Sequence, residues 1–267
     1  MIPCLGNVTA EHLEHIIDGH ISQLTSDELV NMPLTLLDGD DPITIALGIE
    51  ASGSPDLTVI VTDPDRPIGK LRVHAAAHGC VIIFDNRDAA GTLYGNIRLA
   101  GHGSAVIFAG LGDAYVAMHD VLLRSPEQLL FWGRGATAVG CSIELEGEGK
   151  AVAIGDDALL SAGIWIRNHD MHSVHDLATG TRINRPPVDV FIEPHVWIGQ
   201  NAMLLGCPRI GAGSIVGAQA LVKSTIARKV AVGGVPARVI RSNVSWGRDI
   251  NGMTDAECRL LDALPSA

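Results

Sequence analysis

The chain has 267 residues, 47% hydrophobic but only 4% aromatic, with 30 glycines and a formal net charge of −11. Abundant glycine with scarce aromatics disfavours a helical bundle and favours short strands separated by turns, and the negative charge argues against nucleic-acid binding. The five cysteines form no CxxC pair and read as reduced thiols of a cytoplasmic protein, while the absence of a signal-like start and of any long apolar run predicts neither export nor membrane insertion.

Residues 1–69 read as an α+β cap or a small acceptor-binding region. "TAEHLEHIIDGHISQL" carries apolar residues at helical spacing behind the N-cap candidate Thr9. Asp38 to Asp41 reads as a turn rather than a cation site. "ITIALGIEASGSPDLTVIVTD" predicts two strands around a Gly-Ser-Pro turn. From about Lys70, β-rich runs such as "VIIFDNRDAAGTLYGNIRLAGHGSAVIF" are broken by glycine, asparagine and aspartate.

A period of six then emerges. Ile154, Leu160 and Ile166 open it, and Ile192, Ile198, Leu204, Ile210, Val216 and Val222 continue it in another phase. Six matches neither a helix nor simple strand alternation. It suits a short strand followed by a sharp bend, repeated so that three units close a triangular coil with one aliphatic per unit inside. Glycine eases the bends, and stacked coils bury what one coil cannot. An all-β parallel β-helix over 70–241 is expected, with a loop at about 167–190 where the phase breaks. A tail over 242–267 follows, in which "TDAECRLLDAL" behind Thr254 predicts a short helix.

"VWIG", "IGAGSIVGAQALV" and the closing "VGGVPARVI" resemble the hexapeptide-repeat acyltransferases, whose fold is the left-handed parallel β-helix. The loop "DMHSVHDLATGTRIN" is similar to that of the sugar and polysaccharide O-acetyltransferases in this family. The resemblance implies a homotrimer with active sites between subunits, acetyl-CoA as cosubstrate and a saccharide acceptor in polysaccharide biosynthesis. It assigns His172 as catalytic base and places Trp197 beside the acetyl end of the cofactor. Gln200, Ala218 and Lys223 would line the pantetheine groove, with Ser224 where the family often has lysine. Arg238 and Arg241 match positions that meet the nucleotide.

Independently, the interval between Glu193 and Asp249 holds no acid but seven cations, a pattern suited to an anionic ligand. The loop holds His169, His172 and His175. One neutral histidine suffices to take a proton from a hydroxyl, with Asp170 or Asp176 available to orient it. Asp170, His175 and Arg182 are candidates for meeting the acceptor. A metal site needs ligands converging on one ion, and extended chain sends His169 and His172 to opposite faces, so no metal is expected. The alternatives are a zinc lyase like the γ-class carbonic anhydrases, which share the repeat, and a non-catalytic trimeric scaffold.

Overall fold

The computed structural model describes residues 35–53 and 56–263, so the helix expected behind Thr9 and the Gly-Ser-Pro turn lie outside the described residues in whole or part. The chain winds into a three-sided parallel coil. Its first face is the sheet of β3 (Thr58–Val61), β5 (Val81–Phe84), β7 (Ala105–Phe108), β9 (Leu129–Trp132), β11 (Ala151–Ile154), β14 (Val190–Ile192) and β17 (Arg209–Ile210). In the later coils the second face carries β12 (Leu159–Leu160), β15 (Trp197–Ile198), β18 (Ile215–Val216) and β20 (Val230–Gly233). The third carries β13 (Ile164–Arg167), β16 (Met203–Leu205) and β19 (Leu221–Val222).

The earlier coils serve these last two faces with single long strands: β2 (Ile49–Gly53), β4 (Gly69–Ala75), β6 (Thr92–Leu99), β8 (Tyr115–Leu123) and β10 (Thr137–Leu145). β10 shows how. Thr137 and Ala138 pair with β12, Cys141 to Glu144 pair with β13, and the register shifts between Ala138 and Cys141 against β8. An irregularity of this kind bends a strand without a turn. Paired residues on the first face are therefore 22 to 24 apart in sequence in the early coils. They are 18 apart in the later ones, as for Ile192 and Ile210. The six aliphatics of the hexad from Ile192 to Val222 are all 0% exposed, as one inward residue per side requires.

Parallel pairing reaches back to β2 and β3, so coil winding begins upstream of Lys70. The two strands expected around the Gly-Ser-Pro turn are β2 and β3, but they lie in different sheets and form no hairpin. "ITIAL" is not strand: it supplies α1 (Pro42–Ala46), whose N-cap Asp41 accepts from the Ile43 N–H at 2.7 Å. Proline at the first helical position favours this start. At one end β1 (Thr35–Asp38) runs antiparallel to β3, and at the other β21 (Arg238–Ser242) runs antiparallel to β20. The tail helix is α2 (Asp255–Ala263), begun by a reciprocal Thr254–Glu257 capping box.

Candidate active site

Between β13 and β14 the coil is interrupted. Partners across this step, such as Ile154 and Ile192, are 38 residues apart instead of 18, so 20 residues leave the stack as the loop. Its root is tied by Asn168, which is 1% exposed. The Asn168 side chain accepts from the Glu146 N–H (2.9 Å) and donates to the carbonyls of Glu146 (2.8 Å) and Val188 (3.1 Å). One amide thereby joins both ends of the loop to the coil beneath.

Within the loop, His175 and Arg182 form an antiparallel bridge, and Asp176 accepts from the Ala178 and Thr179 N–H groups at 2.8 Å. The Thr179 and Ala178 bonds hold the Asp176 carboxyl below its ordinary range. His169 is buried; its Nδ1 accepts from the Met171 N–H at 2.9 Å and its Nε2 lies 2.7 Å from the Arg182 guanidinium. Arg182 also donates to Asn184, so it braces the loop. Met171 adopts φ 67°, a conformation uncommon outside glycine, and the next residue is His172. The His172 carbonyl accepts from Asn184 Nδ2 at 2.8 Å, while the residue itself is exposed. Asp170 meets the same amide at 3.4 Å, so both acids considered for orienting His172 have other partners.

The loop roofs a cavity of about 410 Å³ lined by His169, Asp170, Asn184, Leu205 and Lys223, among others. Lys223 and Ser224 follow β19, at the corner from which the loop leaves two coils earlier. The remaining candidates stand elsewhere. Trp197 opens β15 on the second face, 38% exposed, its indole N–H donating to Ser161 Oγ at 3.3 Å. Gln200 and Ala218 are exposed at the corner between the second and third faces, and Arg238 and Arg241 are exposed on β21. Within one chain the first face lies between the His172 corner and Trp197. The predicted residues thus form two groups.

The basic interval is less open than its composition suggests. Arg209 and Arg228 bond Glu193, which is 2% exposed, and Arg248 bonds Asp157. Lys223, Arg238 and Arg241 stand exposed. Cys207 is buried as expected of a small core residue, its thiol pushed up to about 12 chiefly by burial.

One cluster escaped the sequence. His195, 0% exposed and at φ 55°, has Nδ1 2.6 Å from Asp157 Oδ2 and Nε2 2.8 Å from the Trp246 carbonyl. Burial would raise the Asp157 carboxyl, but the bonds from His195 and Arg248 outweigh it and hold it low. Asp157, His195 and Glu257 lie close enough to suggest a metal centre. Their ligand atoms already bond Arg248, Trp246 and Thr254 within the protein. No local pattern announced it, because Asp157, His195 and Trp246 are 38 and 51 positions apart in sequence.

No protein-family model matches the sequence. A polysialic acid O-acetyltransferase of Neisseria meningitidis is 38% identical over 107 residues, 40% of this chain and 49% of that protein. An Escherichia coli polysialic acid O-acetyltransferase is 28% identical over 141 residues, 50% of this chain and 45% of that one. A putative lipopolysaccharide biosynthesis O-acetyl transferase of Escherichia coli is 31% identical over 99 residues, 34% of this chain and 50% of its own length. The chain thus spans about half the length of the curated relatives it matches. Among solved structures, a polysialic-acid-specific acetyltransferase superposes with a TM-score of 0.56 at 24% identity, over 80% of this chain and 89% of that one. Over part of its length the chain is therefore similar in sequence to O-acetyltransferases, and its fold is the left-handed parallel β-helix.

Proposed function

We propose that the protein is a cytoplasmic acetyl-CoA-dependent O-acetyltransferase acting on a hydroxyl of a sugar or surface-polysaccharide precursor. The observation that carries this reading is the division of the candidate residues into two groups. His172 and the loop cavity sit at one corner, and Trp197, Gln200, Ala218, Arg238 and Arg241 line another side. The two groups meet only if the loop of one chain faces the second face of a neighbour, which fits a shared site in the homotrimer that the family resemblance implies. Outward Trp165, Met203 and Trp197, each 38–39% exposed, supply apolar surface for such contacts.

In this reading the acceptor lies along the loop with its reacting hydroxyl beside exposed His172, where it meets exposed His175 and Asp170, which lines the cavity under the loop. Arg182, spent on His169 and Asn184, acts by holding the loop. His172 takes the hydroxyl proton as the oxygen attacks the thioester carbonyl, both substrates being bound together. The tetrahedral adduct then collapses, the C–S bond breaks and CoA leaves as the thiol after taking up a proton. Arg238 and Arg241 hold the CoA phosphates through charge-assisted hydrogen bonds. The relatives named for polysialic acid and lipopolysaccharide motivate the choice of a saccharide acceptor.

The test is acetyl transfer from acetyl-CoA to a panel of nucleotide sugars and oligosaccharides, comparing the parent with His172→Ala. A positioned base contributes about 10²–10⁴-fold, so kcat should fall at least about 10²-fold with acetyl-CoA binding nearly unchanged. Near-parental turnover in His172→Ala would remove the mechanism. Stoichiometric zinc together with CO₂ hydration would replace it by the lyase reading.

A further inference from the structure

We infer that Trp246, in the segment that follows β21, is a positioning residue that fixes the side chain of Trp197 and thereby the acetyl-CoA end of the site. The inference rests on the acetyltransferase reading and deepens it.

The segment returns across the corner between the first and second faces and is fastened to it reciprocally. The Trp246 indole N–H donates to the His195 carbonyl at 2.9 Å, and His195 Nε2 lies 2.8 Å from the Trp246 carbonyl. The two rings stack at 4.4 Å with a 7° interplanar angle. Two residues beyond His195 is Trp197, whose ring centre is 6.1 Å from that of Trp246 with the planes tilted by 48°. That distance lies in the range of attractive tilted aromatic pairs. Trp246 is 7% exposed and Trp197 38%. One indole is therefore a buried backing and the other presents a surface.

The backing is itself held from a second side. Arg248 donates to Asp157 Oδ1 at 2.6 Å and to the carbonyls of Gly135, Asp157 and Ala158 at 3.2–3.3 Å. Asp157 in turn meets His195 Nδ1. Tail, turn and two coils are locked around the Trp246 ring. On its own, Trp197 would hold one weak indole bond to Ser161 and remain able to change rotamer. With Trp246 behind it, the rotamer is chosen before ligand arrives, and binding does not bear that ordering cost.

A cycle of single and double substitutions tests this. In the parent background Trp246→Ala should raise the KM for acetyl-CoA about 2- to 12-fold, the size of one aromatic pair contact, and move kcat less. In a Trp197→Ala background the same change should raise KM no further. Trp246→Phe, which keeps a ring behind Trp197, should restore most of the affinity. Arg248→Ala loosens the segment without altering either indole and should shift KM in the same direction, which keeps the test valid should Trp246→Ala fold poorly. Equal KM increases in both backgrounds, or a lowered melting temperature with KM unchanged, would overturn the inference. Calorimetry of the parent with acetyl-CoA separates the two levels: no binding at all would overturn the functional reading and this inference with it.

Discussion

Glu193 is a buried carboxylate with three donors: the guanidinium groups of Arg209 and Arg228 and the Ala212 N–H. Burial would raise its carboxyl, but the Arg228, Ala212 and Arg209 bonds outweigh burial and hold it below its ordinary value of 4.5. A group lowered in the folded state contributes stability that is fully present above about 4.5 and lost as pH falls through the lower folded value. Denaturant midpoints should therefore decline on acidification below that point, and Glu193→Gln should flatten the decline. At neutral pH the same substitution leaves Arg228 without its buried partner and should cost about 3 kcal/mol, the low end for a broken buried pair because Arg209 stays 40% exposed. Little of this was legible. An acid-free stretch with seven cations reads as one basic surface, because the acids that pair with its arginines, Glu193 and Asp157, stand outside it, 16 to 91 positions from their partners. His195 was hidden for the same reason, since Trp246 lies 51 positions on. The inward hexad was plain, because burial of one aliphatic per side is a local rule.

Among the elements, the later coils were legible as a six-residue period, and the earlier ones only as degenerate coils whose expected start near Lys70 falls after the first parallel pairings. Strands such as β10 cover two faces by a bend rather than a turn, so no fixed six-residue spacing survives there. The loop was visible as a break in phase, but the means of holding it was not. Asn168 reads as one more polar residue until the fold places Glu146 and Val188 beside it. Asn168→Ala removes three hydrogen bonds from a buried site, and the polar groups left behind cost about 1–3 kcal/mol each where water cannot reach them. Hydrogen exchange over 169–187 should quicken sharply while the amides of β5 and β7 remain protected. Acetyl transfer should fall more than acetyl-CoA affinity, as the loop carries His172 and Trp197 does not depend on it.

For the whole molecule, the separation of His172 from Trp197 makes assembly and activity one question. Sedimentation should give a trimer at micromolar concentration, and a stable, fully active monomer would contradict the shared site. Mixing His172→Ala chains with Trp197→Ala chains should recover activity, because some sites in the mixed trimers then carry both residues intact.

The unequal coils also have a mechanical meaning. In a stack where each coil touches only its neighbours, a chain pulled from its ends gives way one rung at a time. A rung releases the residues that separate paired positions, and an extended chain spans about 3.5 Å per residue. The later rungs, with 18 residues, should lengthen a single tethered chain by roughly 60 Å each. The earlier ones, with up to 24, should give roughly 80 Å. The rung that carries the loop, spanning 38, should give one step of roughly 130 Å. Force–extension traces of the single chain would thus show two ordinary step lengths and one long one, and the long step marks the site.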